Sequence, residues 1–419
     1  MSLRAARMLI AIALAWSAGA QSQGGEAALP DTVTLRALLK LVAERSPRLS
    51  AEQTAIDSAA ADRISAGALP NPSISYGRFT PSGGARTVFD AANQQQASID
   101  LPLLIAGQRG ARIEAAEQGL LAARARVGLA GSELALRAAD VFVGLQAAQE
   151  KVSLIEESAG EIERIVAIVA GRLENGAASR YELTRVEVEL AGLNSRLAET
   201  RAERAERAAG LASLIGAPGW RPRAGGAANP AGLAAKAEAW REAMMAGNPQ
   251  IVAARREEAL AQAAIRRTER ERWPVPVLSL GRTWTGDPFG AANFVGLSTE
   301  IPLSDASRGM QAKAAAELRG AQRRREAIES EADVELRRLA EALAQRQSAL
   351  ESFRRNAGDR IPALKQMAED AYRLGRGSLL ELIDASRARL EARITEVELR
   401  AATVAQELRL LGLAGKLGG

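Results

Sequence analysis

The stretch Gly176-Ala177-Ala178-Ser179-Arg180-Tyr181-Glu182-Leu183 returns 199 residues later as Gly375-Arg376-Gly377-Ser378-Leu379-Leu380-Glu381-Leu382. Other landmarks repeat in the same order. Ser46-Pro47-Arg48-Leu49 corresponds to Asn248-Pro249-Gln250-Ile251, and Pro70, Pro72 and Gly77 correspond to Pro274, Pro276 and Gly281. Leu101-Pro102-Leu103 corresponds to Ile301-Pro302-Leu303, and Arg109-Gly110 to Arg308-Gly309. A chain of 419 residues written twice is one doubled architecture rather than two unrelated domains.

Each half shares one layout: two helices with a proline at their junction, a strand pair, then two long helices folded back at a tip. The first repeat spans 21–216, with a strand pair at 73–101 and a helical hairpin at 104–214. A linker covers 217–239. The second repeat spans 240–419, with a strand pair at 277–301 and a hairpin at 305–416. No proline separates Pro102 from Pro218, so helix can run from about residue 104 to 173, roughly 100 Å at 1.5 Å per residue. A helix that long needs other long helices beside it. Leu183, Val186, Leu190, Leu193 and Leu197 step by three and four. Ile383, Leu390, Ile394, Val397, Val404, Leu408 and Leu411 keep the same rhythm, the seam of a coiled coil. Gly358 and Pro362 interrupt the second long helix, so the halves differ near their tips.

The strand candidates alternate. Gln96, Ser98 and Asp100 interleave with Ala97, Ile99 and Leu101, and Ser298 and Glu300 with Leu297 and Ile301. Half of the aromatic residues cluster there, as at a membrane–water interface. The loops 81–93 and 286–292 are rich in glycine and small residues, as hairpin tips are. Residues 1–20 read as a signal peptide: Arg4 and Arg7, an apolar run from Met8 to Trp16, and Ala18-Gly19-Ala20 before Gln21. No cysteine stands at the cleavage point, so an N-terminal Cys lipoprotein is not expected. No later stretch reads as a membrane helix, which leaves a β-barrel as the way to enter a bilayer.

Composition removes whole classes of function. The chain has no cysteine and no histidine, so thiolate or imidazole metal ligands, nucleophiles and bases are absent. No enzyme, cofactor or metal site is expected. The 55 Lys and Arg face 50 Asp and Glu, interleaved along the chain, which is the solvated face of long helices and not a nucleic-acid footprint.

Together, the doubled layout, the proline-flanked strand edges and the two Gly/Ser tips resemble the TolC-like outer membrane efflux channel family. Leu69-Pro70-Asn71-Pro72 and Gly107-Gln108-Arg109-Gly110-Ala111-Arg112-Ile113 are most similar to its CzcC-like branch, which works with metal-cation or drug efflux pumps. The resemblance implies a mainly α fold with a small membrane β part. Three copies would build a helical barrel in the periplasm and share a 12-stranded β-barrel, four strands each, in the outer membrane of a Gram-negative cell. The partners it implies are a homotrimer, outer membrane lipid, a periplasmic adaptor and a proton-driven inner-membrane pump. The function it implies is passive conduction of exported substrate. The competing reading is a periplasmic coiled-coil adaptor or scaffold, against which stands the order of elements, with strands inserted between helices twice.

Candidate gate residues are Glu381 and Asp384, three apart on one helix face beyond the second tip, with Glu182 and Arg185 at the matching positions of the first. Three copies would gather carboxylates around a narrow opening and favour cations. Gly176, Ser179, Leu374, Gly375, Gly377 and Ser378 are candidates for docking the adaptor. The same glycines also suit a tight reversal of the chain.

Overall fold

The computed structural model describes residues 29–80, 94–285, 290–300, 306–358 and 360–417. The signal peptide at 1–20, the hairpin loop 81–93, the loop tip 286–289 and the landmark 301–303 lie outside the described residues.

The first repeat opens with β1 (Thr32–Val33), α1 (Leu35–Arg45) and α2 (Pro47–Gly67), and continues through the strands β2 (Ser73–Phe79) and β3 (Gln94–Pro102). It then runs into α3 (Gln108–Glu174) and α4 (Arg180–Leu214). A short strand, β4 (Arg223–Ala224), pairs in parallel with β1. The second repeat follows with α5 (Glu238–Gly247), α6 (Pro249–Glu271), β5 (Val277–Trp284) and β6 (Ala291–Ser298). It ends in α7 (Ala306–Ala357), α8 (Arg360–Arg373) and α9 (Leu379–Leu413).

Local chemistry explains these boundaries. Pro47 and Pro249 each open a helix, where a missing N–H costs nothing. Asn248 caps α6 by accepting from the N–H groups of Gln250 and Ile251. The 67 residues of α3 run unbroken through seven glycines. At Gly144 the reason is close approach: a Cβ there would sit 3.2 Å from the Arg207 guanidinium. In the second repeat the same stretch is two helices. The last α7 bond runs from the Gly358 N–H to the Arg354 carbonyl, and Pro362 falls in the first turn of α8, the one place in a helix that tolerates it.

Two layers stack end to end. The strands form one antiparallel sheet in the order β2-β3-β5-β6. Below it the helices repeat that order: α3 packs against α2 and α6, and α6 against α7. The register aligns Ser75, Ser98, Gly281 and Phe294 across the sheet, and Ile74, Ile99, Leu280 and Val295 beside them. One face is therefore polar. On it Ser75 and Ser98 share a hydrogen bond of 2.7 Å, and the Ser279 hydroxyl donates to Asp100 at 2.5 Å. The other face is mainly apolar, with Arg78 and Arg282 also on it, and bare: Ile74 is 81% exposed, Val295 75% and Leu297 72%.

The core is drawn out along the helices. Leu38, Val42, Phe142, Leu145, Leu211 and Trp220 form one cluster, and Met244, Ile251, Leu336, Leu343 and Leu410 its counterpart in the second repeat. Towards the tips Ile155, Ile162, Val186, Leu193, Ile383 and Ile394 bury against one another. Of the seam residues, Val186, Leu193, Leu197, Ile383, Leu390, Ile394 and Val397 are buried there, and Leu408 is buried in a fourth cluster with Val404 and Leu411 against it.

Residues between the repeats are pinned by buried polar groups. Gln149 accepts from the Ala224 N–H and donates to its carbonyl, and Gln146 donates to Gly225. Trp220 donates its indole N–H to Pro30, and Trp240 to Ala234. Glu407, only 3% exposed, accepts from the N–H groups of Ala231, Gly232 and Leu233 at 2.7, 2.9 and 3.1 Å. Such a cradle of successive N–H groups solvates a carboxylate. Glu407→Ala strands those donors and costs about 3 kcal/mol, whereas Glu407→Gln retains an acceptor and costs less. Thermal unfolding of the detergent-solubilised protein checks this through the order of the midpoints, wild type above Gln above Ala.

Candidate functional site

The two tips are built alike. At the first, α3 ends with the Gly176 N–H on the Leu173 carbonyl and the Ala177 N–H on that of Arg172, with Gly176 at φ 71°. At the second, Gly375 binds Tyr372 and Arg376 binds Ala371, with Gly375 at φ 68°. A left-handed residue closes each helix, and glycine adopts that conformation without a Cβ clash. The next helix starts at once. Ser179 accepts from the Glu182 N–H at 3.2 Å, and Glu182 accepts from the Ser179 N–H at 2.7 Å. Ser378 and Glu381 repeat this capping box at 3.2 and 3.0 Å.

The acids singled out in the sequence thus have a local task. Glu182 and Glu381 each place a carboxylate at the positive end of a helix. The backbone N–H of Ser179, and then its hydroxyl, hold Glu182 below the usual carboxylate range. Asp384 lies one turn beyond Glu381, exposed; the cationic form of Arg387 is favoured first by its hydrogen bond to Glu189 and, to a lesser degree, by the Asp384 charge. Arg185 is exposed and makes no ion pair within the protomer among the described residues. Leu374 and Tyr181 stand 65% and 75% exposed beside the turns. Gly176, Ser179, Gly375, Gly377 and Ser378 all lie in the reversals themselves.

Above the tips lies a feature that the sequence reading did not single out. On α3, Glu150, Glu157 and Glu161 step by seven and four; on α9, Arg400, Arg393 and Arg389 step back by the same intervals. The helices bring them together. Arg389 bridges Glu157 at 2.8 Å and Glu161 at 2.9 Å, and Arg393 reaches Glu157 at 2.7 Å. Arg400 meets Glu150, and Lys365 of α8 meets Glu161, each at 2.5 Å. Partial burial works against ionisation of Glu157, but hydrogen bonds from Arg393 and Arg389 overcome it and leave its pKa lowered. Across to α4, Arg387 pairs with Glu189 and Arg196 with Glu391. Matched seven-and-four spacings of opposite sign were the available signal. They stay hidden until one knows which helices adjoin.

Among the described residues no group of acids is placed to hold a metal ion, and no helix is long and apolar enough to cross a membrane. What the architecture offers is a polar sheet face, a bare apolar one, and two charged, capped helical tips.

The Glu182 cap has a pH signature. Its folded-state pKa is depressed, so its contribution is present above the ordinary carboxylate range and lost as pH falls through the depressed value. Backbone amides at 179–183 should exchange faster on acidification, after correction for intrinsic rates, and Glu182→Gln should flatten that dependence. Hydrogen-exchange mass spectrometry over an acid series checks it.

Comparison with known proteins agrees with this architecture. Residues 38–217 match the family model described as outer membrane efflux protein. The cobalt-zinc-cadmium resistance protein CzcC of Cupriavidus metallidurans is 27% identical over 287 residues, 68% of this chain and 66% of that protein's length. The structure superposes on that of CusC with a TM-score of 0.72 and 21% identity, covering 92% of each chain. It superposes on the outer membrane protein VceC of Vibrio cholerae with 0.72 and 16% identity, covering 91% of this chain and 96% of that one. With CmeC, the Campylobacter jejuni outer membrane channel, the values are 0.74 and 14%, over 92% and 86%. The first repeat of this chain thus matches the outer membrane efflux protein family model, and the fold is shared with outer membrane channels over nearly the whole length of the chain.

Proposed function

We propose that the protein is the outer membrane duct of a tripartite efflux system, conducting substrate passively from an inner-membrane pump and periplasmic adaptor to the exterior. The observation that carries this is the sheet. Its apolar face is exposed, its polar face carries serines and Asp100, and among the described residues β2 and β6 each pair on one side only. Open edges are untenable in lipid, where unpaired backbone groups find no water. Three copies of four strands close a ring of twelve, with the apolar face towards lipid and the polar face towards an aqueous lumen. Long helices continue the wall below, and a passive conduit needs no catalytic group.

CzcC is named for cobalt, zinc and cadmium resistance. On that likeness a divalent metal cation is the first cargo to test here. The residues at 1–20 and the resemblance to outer membrane proteins support export to the outer membrane. The test is fractionation joined to one substitution. The protein should stay with outer membrane after a high-salt wash and emerge from detergent as a trimer. Val295→Arg, which sets a charge on the lipid face at a cost of about 2–4 kcal/mol near the bilayer midplane, should sharply lower the membrane-assembled fraction. Recovery of a detergent-free monomer from the soluble fraction overturns the reading.

The narrow end of the duct lies at the tips. Glu381 and Asp384, repeated three times, form an acidic ring that favours cations, with Glu182 and Arg185 interleaved from the first repeat. The exposed turn at Leu374, Gly375, Gly377 and Ser378, with Gly176 and Ser179, is the surface offered to the adaptor. In single-channel recordings, Glu381→Gln with Asp384→Asn should lower cation preference and raise closed-state leak. Currents identical to wild type remove these acids from the gate.

A further inference from the structure

We infer that the mainly apolar face of the sheet carries, beside its hairpin ends, a binding site for the phosphorylated headgroup of an outer-leaflet glycolipid, with Arg78 and Arg282 as its phosphate-binding residues. The inference rests on the duct reading and adds the class of lipid that this face takes.

The face changes character along its height. Leu101, Leu278 and Leu297 form the row nearest the helices, and the row of Ile74 and Val295 follows. The next row aligns Tyr76, Ala97, Arg282 and Asn293, and the last aligns Arg78, Gln95, Trp284 and Ala291. Two aliphatic rows thus give way to two rows that each hold an arginine and an aromatic ring. Strand β2 runs away from the helices and β3 returns to them, so the arginine rows lie at the far end of the sheet. In the proposed duct that end meets the outer leaflet.

Depth decides what surrounds these side chains. Successive rows are two residues apart, about 7 Å along a strand, or about 5 Å along the membrane normal at a tilt near 40°. Both arginines therefore stand about 5–10 Å beyond the last aliphatic row, where headgroups replace hydrocarbon. An arginine is costly in hydrocarbon and nearly free at that level. Tyr76 and Trp284, both exposed, share the layer, as aromatic rings at a membrane interface do. The Arg282 guanidinium lies 5.8 Å from the Trp284 ring, and the Tyr76 hydroxyl donates to Gln95 at 3.3 Å.

The charge is unanswered within the chain. At the same height the polar face carries Gly77, Gln96, Thr283 and Ala292, with no charge. Arginines serving the lumen would stand on that face. Among the described residues neither Arg78 nor Arg282 has an ion pair, and no acid stands on their face of the four strands. Their counter-charge comes from outside the protein. A guanidinium grips phosphate through parallel N–H donors, and phosphate is the anion of a headgroup layer.

Spacing narrows the lipid class. Arg78 and Arg282 flank β3 one row apart, with Cα atoms about 12 Å from each other by strand geometry. Ala97 lies between them, too short to fill the gap. Two phosphates held apart on one sugar headgroup suit that spacing better than the single phosphodiester of a glycerophospholipid. The other end of the sheet offers a comparison. There Arg272 lies 5.7 Å from the Trp273 ring, both exposed, on the side of the helices and so of the inner leaflet.

The test uses the full-length trimer in detergent, lipid A as the probe and native mass spectrometry as the readout. Wild type should bind diphosphorylated lipid A at least fivefold more tightly than phosphate-free lipid A or phosphatidylglycerol. Arg78→Gln with Arg282→Gln should abolish that preference. Arg78→Lys with Arg282→Lys keeps the charge and should retain at least half of it, and Arg272→Gln should leave it within twofold of wild type. Both arginines are exposed, so these exchanges leave the core intact. If the double glutamine variant does not assemble, Arg78→Gln and Arg282→Gln singly decide the question, each lowering the preference at least twofold. A trimer without the preference, a preference that survives the glutamine variants, or displacement of lipid A by an equal concentration of inorganic phosphate overturns the site and leaves the duct reading standing. A wild-type protein that is monomeric in detergent overturns both.

Discussion

Among the described residues, strands β2 and β6 each leave one row of backbone N–H and C=O groups without a partner, and the face they border is mainly apolar and uncovered. In water such an edge invites uncontrolled pairing, and in lipid each unpaired group costs several kcal/mol. Among the described residues no element of the protomer closes it, because the helices below continue the sheet's order instead of folding over its face. Everything else in the architecture follows from this incompleteness. In the proposed trimer the sheet is completed by copies of itself, and copies placed side by side require the helices beneath to meet as well.

The interior of the single chain is fit for that arrangement. A conventional core would make the protomer self-sufficient. Here the buried residues are spread in clusters along helices up to 67 residues long, each only wide enough to hold neighbouring helices together. Ion pairs supplement them where the hydrophobic seam is narrow. The pairs joining α3 to α8 and α9 are partly buried and share partners, Glu161 with Lys365 and Arg389, and Glu157 with Arg389 and Arg393. A shared network holds its geometry better than isolated surface pairs, which contribute little. The capping boxes at Ser179 and Ser378 fix the reversals, so the tips are shaped before any partner arrives.

The two repeats are equal in plan and unequal where they end. The first long helix is continuous; in the second repeat α7 ends at Ala357 and α8 begins at Arg360, and α8 is held to α3 through Lys365. Glu182 has a basic residue one turn on, Arg185, whereas Glu381 has Asp384. A duplicated scaffold thus keeps the shared geometry of its turns while the chemistry around them diverges.

How much could be read from the sequence depended on whether a feature is local. The helix seams were legible because hydrophobic periodicity is imposed residue by residue, and Val186, Leu193, Ile383 and Ile394 are buried accordingly. The mainly helical fold with a small sheet and the break near Pro362 were legible for the same reason: proline, glycine and alternation act within a few residues. The ladder of Glu150, Glu157 and Glu161 with Arg400, Arg393 and Arg389 was not, since its partners lie more than 200 positions apart and no local rule states that α3 adjoins α9. Nor was the task of Glu407, a lone acid whose meaning depends on three N–H groups that a distant loop supplies. The amino-acid sequence by itself determined the elements and their doubling, because those follow from short-range sterics and periodic burial. Only the tertiary structure decided which charges meet, which face of the sheet stays bare and which edges stay open, because pairing across space depends on how whole helices are set side by side.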